Sequence, residues 1–299
     1  MIIRERPGVL HLLFAVRGSV LPHIALPVFA LMGISAAMVW FDHAVLQLRH
    51  SNATPFAVFG VGLSLFLGFR NNAAYDRWWE ARRLWGGLLA DMRSLGREAE
   101  IYISDVALRH DLLRQARAFA HLHRINLRGL PRDAACNAAV AATGKDLDGP
   151  HPPSTALDRI GTDIAAARAN GQLDGFGSLA LSNRIASIAL AQAGCERIAG
   201  TPLPYVYSLL IFRTSYLYCL LIPLALIDTA GWMTPVFVGI VAYVFFGLAE
   251  VTEELAHPFG STLNALPLDA ICRAMEISLA PHLGEPAPAP LRPVNYLLT

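Results

Sequence analysis

Residues 56–85 read FAVFGVGLSLFLGFRNNAAYDRWWEARRLW, an apolar segment that passes into a charged one with no helix-stopping residue between them. No proline follows Pro55 until Pro131, and the glycines of the stretch before Gly86 are Gly60, Gly62 and Gly68. Proline would remove a backbone donor and clash with the preceding turn, so its absence lets one helix continue. The sequence therefore predicts a helix that begins at bilayer depth and runs on into water. Such a helix makes a poor simple anchor and a good conduit wall.

Composition points the same way. Of 299 residues, 54% are hydrophobic and only 16% charged, against roughly a quarter charged in soluble domains. An integral membrane protein is expected. The net charge of +1 gives no support to nucleic-acid binding, and no nucleic-acid partner is expected. Cys136, Cys195, Cys219 and Cys272 share no CxxC spacing and read as isolated thiols. His121 and His123 are two apart and do not share a helix face, so no metal site is implied. The chain has no G-x-S-x-G, P-loop, H-E-x-x-H or Rossmann glycine pattern, each of which carries a specific chemistry. It reads as no enzyme and as needing no cofactor.

A helix needs about 20 predominantly apolar residues to span a bilayer. Three stretches meet this, at about 21–41, 207–227 and 231–250. A fourth, about 55–70, is short and qualifies because its helix continues past it. The first is too long for a signal-peptide core and has no A-x-A-like site after it, so it reads as a retained span. Arg4, Arg6 and Arg17 precede it, the 70–206 region is rich in arginine, and Asp228–Gly231 carries no basic residue. The positive-inside rule then puts both termini and the 71–206 region in the cytosol. That region reads as helical: a long pattern over Leu88–Arg128, a loop over Thr143–Thr155, a helix over Ser154–Ala169 capped by Ser154 or Thr155, and another over Leu173–Ala199. No strand pattern or internal repeat appears. Residues 258–299 read as a C-terminal tail, with a polyproline-like stretch at Glu285–Pro290. The whole, 1–299, reads as one all-α membrane domain.

On the second span two sets of residues recur every four positions. Gly60, Ser64 and Gly68 form a small-residue ridge of the kind that lets membrane helices approach closely. Val61, Leu65 and Phe69 form a bulky ridge about 100° further round. Both ridges could be ordinary bundle packing. If several copies surround an axis, the bulky ridge instead becomes stacked hydrophobic rings, which can gate ion flow by dewetting. Asn72 and Asp76 continue the same stripe and suit either a polar vestibule or a solvated surface with local pairs such as Glu80 with Arg83. Trp78, Trp79 and Trp85 read as interfacial-belt or subunit-contact residues. Arg213 is an ionisable residue inside a span, here near its cytosolic end. Glu250, Glu253, Glu254 and His257 read as a solvated helix end rather than a cation site.

The stretch Gly68-Phe69-Arg70-Asn71-Asn72-Ala73-Ala74-Tyr75-Asp76-Arg77-Trp78-Trp79-Glu80-Ala81-Arg82 resembles the signature of the prokaryotic bestrophin-like membrane proteins. Arg17-Gly18-Ser19, Asn183 to Cys195 followed by Pro202–Pro204, and Glu253-Glu254-Leu255-Ala256-His257-Pro258-Phe259-Gly260 are similar to further landmarks of that family. The resemblance covers nearly the whole chain. It implies a bestrophin-like homopentamer with one central pore, in a bacterial cytoplasmic membrane, with lipids around it and small monovalent ions passing through. By that resemblance Val61, Leu65 and Phe69 line the neck, and Leu179 forms a lower, cytosolic constriction. Animal members conduct chloride, and bacterial relatives have been associated with monovalent cations. Asp76 leans a vestibule toward cations and Arg70 leans it back. Animal members also carry a calcium-binding acidic run after Pro-Phe-Gly. Here that segment, Ser261–Asp269, has one carboxylate, too little charge for a cation needing six to eight oxygen ligands. A membrane receptor or scaffold that signals through its cytosolic helices without conducting is the alternative reading.

Overall fold

The computed structural model describes residues 1–3, 8, 15, 18–45 and 52–299. Arg4, Arg6 and Arg17, which entered the orientation argument, lie outside them. The described residues form ten α-helices and no strand: α1 (Leu21–Ala44), α2 (Ala53–Tyr102), α3 (Val106–Arg128), α4 (Ala134–Ala141), α5 (Pro152–Ala169), α6 (Gly175–Gly200), α7 (Tyr205–Leu221), α8 (Pro223–Ala230), α9 (Thr234–Ala256) and α10 (Leu268–Leu279). All four cysteines are buried and unpaired.

The expected passage from apolar to charged sequence is one unbroken helix, α2, of 50 residues, ~75 Å long at the α-helical rise. The pattern expected to run over Leu88–Arg128 is in fact two helices. Asp105 interrupts it, because its carboxylate accepts from the Ala107 and Leu108 amides and so starts α3, as N-caps do. Gly129 ends α3 in the left-handed region, at φ 61°, which glycine adopts without a Cβ penalty. His151, not Ser154 or Thr155, caps α5, with Pro152 in its first turn. Asp174 caps α6 by accepting from Gly177 at 2.6 Å.

Two compact units arise. The first holds 1–3, Trp79–Thr201 and Pro258–Thr299. In it α3 packs against α4, α5, α6 and α10, around a core that includes Trp85, Phe119, Leu88, Leu112 and Leu113. The helix α10 was not anticipated in the tail. Its buried face is Leu268, Ile271, Cys272, Met275 and Leu279, at the three-and-four spacing of an amphipathic helix. Residues 285–293 carry no regular secondary structure.

The second unit holds the described part of 4–78 together with Pro202–His257. Here α1 packs along α9, and α7 and α8 pack against both. The core is Ile24, Val28, Leu31, Leu67, Phe245 and Phe246 with their neighbours. Among the described residues three stretches are long and apolar enough to cross a membrane, within Leu21–Ala44, Ala53–Tyr102 and Tyr205–Ala256. The span expected at 207–227 is broken at Ile222. Pro223 cannot donate the next helical bond, so α7 ends and α8 begins. The turn expected at Asp228–Gly231 comes later, as a 3₁₀ turn at Gly231–Met233.

Candidate functional site

The apolar part of α2 has one buried seam and one open stripe. Leu63, Leu67, Arg70 and Ala74 face the core, at 5%, 0%, 8% and 0% exposure, following the helical repeat. Val61, Leu65 and Phe69 lie across from them and are 71%, 57% and 61% exposed. The described chain therefore leaves most of this stripe uncovered. Asn72 and Asp76, which continue it, are exposed as well.

The small-residue ridge meets its own chain at one position. A Cβ on Gly60 would stand 2.6 Å from the Tyr218 hydroxyl, so glycine is what permits α7 to come this close. Gly68 has open space around it. Ser64 is exposed, and its hydroxyl donates to the Gly60 carbonyl at 2.8 Å. Arg213 is exposed on α7.

Arg70 is not a free vestibule charge. Its Nη2 donates to Glu253 Oε2 at 2.9 Å and to Ser208 Oγ at 2.7 Å, which ties α2 to α9 and α7. A guanidinium inside an apolar bundle is tolerable only when paired in this way. Glu253 is thus half of an ion pair and not simply a solvated helix end. Arg77 Nε donates to the Ala256 carbonyl at 2.7 Å, satisfying an orphan acceptor at the end of α9.

Leu179 lies in the second turn of α6 and is 60% exposed. Within its own unit α6 is fixed to α2 by a clamp of charges. Arg184 donates to Asp91 and to Glu98, each at 2.6 Å, and Ser187 donates to the second Asp91 oxygen at 2.8 Å. Glu80 pairs with Arg197 at 2.7 Å rather than with Arg83; both are partly exposed, so this pair contributes little.

Trp85 is neither a belt nor a contact residue, because it is wholly buried. Its ring stacks on His123, which stacks in turn on Phe119, with centroids 5.5 Å apart in both pairs. Burial pushes the His123 imidazole down to about 3, so it packs as a neutral ring. His121 bonds Glu276 at 2.7 Å instead. Asp269 accepts from Arg124 and from Arg128. Burial alone would raise its pKa, but the two guanidiniums hold its carboxyl below the usual range. No group of three or more potential metal ligands occurs among the described residues. The Arg70–Glu253, Arg184–Asp91 and Arg124–Asp269 pairs join residues 93 to 183 positions apart, and no local motif marks them.

Residues 1–281 match the family described as the bacterial/fungal bestrophin protein. A voltage-dependent anion channel-forming protein of Mesorhizobium japonicum is 46% identical over 293 residues, which cover 96% of this chain and 94% of that protein. The voltage-dependent anion channel-forming protein YneE of Escherichia coli is 39% identical over 287 residues, 93% of each chain. Among solved structures, a bacterial bestrophin homolog from Klebsiella pneumoniae superposes with a TM-score of 0.79 at 30% identity, covering 89% of this chain and 99% of that one. An all-helical membrane fold, the uncovered stripe on α2 and a match of this extent lead to one conclusion: the chain belongs to the bacterial and fungal bestrophin family.

Proposed function

We propose that this protein is a homopentameric ion channel, with 1–299 acting as a single channel domain that passes small monovalent ions down their gradient. Val61, Leu65 and Phe69 form its neck, Asn72 and Asp76 the vestibule below, and Leu179 the cytosolic aperture. The chain crosses a bacterial inner membrane four times, through α1, the apolar part of α2, α7 with α8, and α9, with both termini in the cytosol. The observation that carries this reading is the uncovered stripe. Three large apolar side chains stand exposed at four-residue intervals and give way, on the same side, to exposed polar ones. A ring of such stripes closes a narrow apolar passage onto a hydrated chamber, and an apolar constriction gates ions by controlling its own wetting.

Two observations bear on the sign of the ion. The names of the relatives favour anions. The exposed Asp76, together with the neutralisation of Arg70 by Glu253, favours cations.

The purified chain in liposomes is expected to give ion flux with no other protein present; a scaffold gives none. Replacing Leu65 and Phe69 together by alanine is expected to widen the wetted path and raise single-channel conductance. An unchanged current in that variant removes the neck assignment. The reversal potential under asymmetric salt gives the sign.

A further inference from the structure

Beside Phe69 a cavity of about 320 Å³ opens between α2 and the start of α7, lined by Phe66, Phe69, Arg70, Leu203, Pro204 and Tyr207. That volume is in the range of small-molecule sites, roughly 300–1,000 Å³, which are mostly apolar with a few placed polar groups. The walls here are aromatic and aliphatic, and Arg70 alone among these residues carries a charge. The Arg70 side chain is only 7% exposed. Ser208 and Glu253 hold its Nη2, while its Nε is buried without an acceptor. A guanidinium has five donor hydrogens, and a buried donor left unmatched is costly. Carboxylate is the acceptor that best matches its fork. The bonds to Ser208 and Glu253 already fix the group, so little freedom remains to be lost on binding.

We propose that this cavity binds a small amphipathic carboxylate, with an aryl or short alkyl body against Phe66, Phe69 and Tyr207 and its carboxylate on Arg70. Phe69 is both a wall of the cavity and a ring of the neck, so an occupant restrains that ring. This consequence rests on the pore reading; the binding site itself does not.

The probe is phenylbutyrate, compared with phenylbutanol, which has the same skeleton without the charge. Calorimetry on the purified full chain in a neutral detergent is expected to show saturable binding of the carboxylate. Binding of the alcohol is expected to be weaker by about tenfold or more, the scale of one lost charge-assisted bond. Ala73, an exposed residue of the same wall, offers a variant that leaves the Arg70–Glu253 pair intact. Ala73→Leu fills the space and is expected to weaken phenylbutyrate by a similar factor with the unfolding midpoint unchanged. No saturable binding by the natural chain, equal binding of the alcohol, or unaltered binding by Ala73→Leu each overturns the site. Binding is read without flux, so its failure leaves the channel reading standing. A natural chain that binds phenylbutyrate but conducts nothing in liposomes overturns the channel reading and leaves the site.

Discussion

One helix, α2, behaves as two different objects along its length. In its 79–102 part the apolar side is turned inward: Ala81, Trp85, Leu88, Met92, Leu95 and Ala99 are all at most 1% exposed. In its 53–78 part the large apolar side chains Val58, Val61, Leu65, Phe66 and Phe69 are mostly exposed. The backbone geometry is the same, so the difference lies in what each part must satisfy. Where the surroundings are water, burying apolar area stabilises the fold at roughly 25 cal/mol per Å². Where they are lipid or another subunit, apolar side chains can face outward without that penalty. Arg70, which must not face hydrocarbon, takes one of the few buried positions there, alongside Leu63, Leu67 and Ala74.

That contrast can be broken by experiment. The largest loss of stability is expected from Trp85→Ala, about 3–5 kcal/mol, because it empties a wholly buried site; a thermal midpoint close to that of the natural chain contradicts the packed half. Asp269→Asn is expected to cost about 2 kcal/mol, since Arg124, only 5% exposed, would keep Asp133 alone as its partner. The pH dependence sharpens the same point. The Asp269 and Glu276 carboxyls are held below their usual range by Arg124 with Arg128 and by His121 with Arg273 respectively, against the upward push of burial. A depressed carboxyl contributes stability above its unfolded pKa and loses it as pH falls through the folded one. Unfolding midpoints should therefore drop below about pH 4, and less steeply in Asp269→Asn. The smallest effect on stability is expected from Leu65→Ala and Leu179→Ala, within about 0.5 kcal/mol, because both side chains stand exposed. A loss of several kcal/mol at Leu65 would mean that the stripe is packed rather than open.

Much of this was legible in the chain, and the exceptions have physical causes. The continuity of α2 from apolar into charged sequence followed from missing prolines, and the stripe, though not its exposure, from four-residue spacing. The end of α2 was not legible, because Ile101-Tyr102-Ile103-Ser104-Asp105 contains neither glycine nor proline. There the stop is a carboxylate bonding to amides ahead of it. The helix α10 did carry a readable signal: Leu268, Ile271, Cys272, Met275 and Leu279 follow Pro267 at helical spacing. Trp85 was misread because an aromatic beside arginines looks interfacial until its partners are known. Those partners, His123 and through it Phe119, are more than thirty residues away. The neck candidates were legible as a stripe, but a sequence cannot say that Arg70 beneath them is already occupied by Glu253.

The four native thiols offer a practical opening. Each is buried to within 1% of completely, so a water-borne thiol reagent finds nothing to modify on the folded chain. A single Leu65→Cys substitution would then stand alone as a chemical reporter. Blockage of current by a charged reagent, and its rate from either face of the membrane, would chart how far water reaches along the stripe.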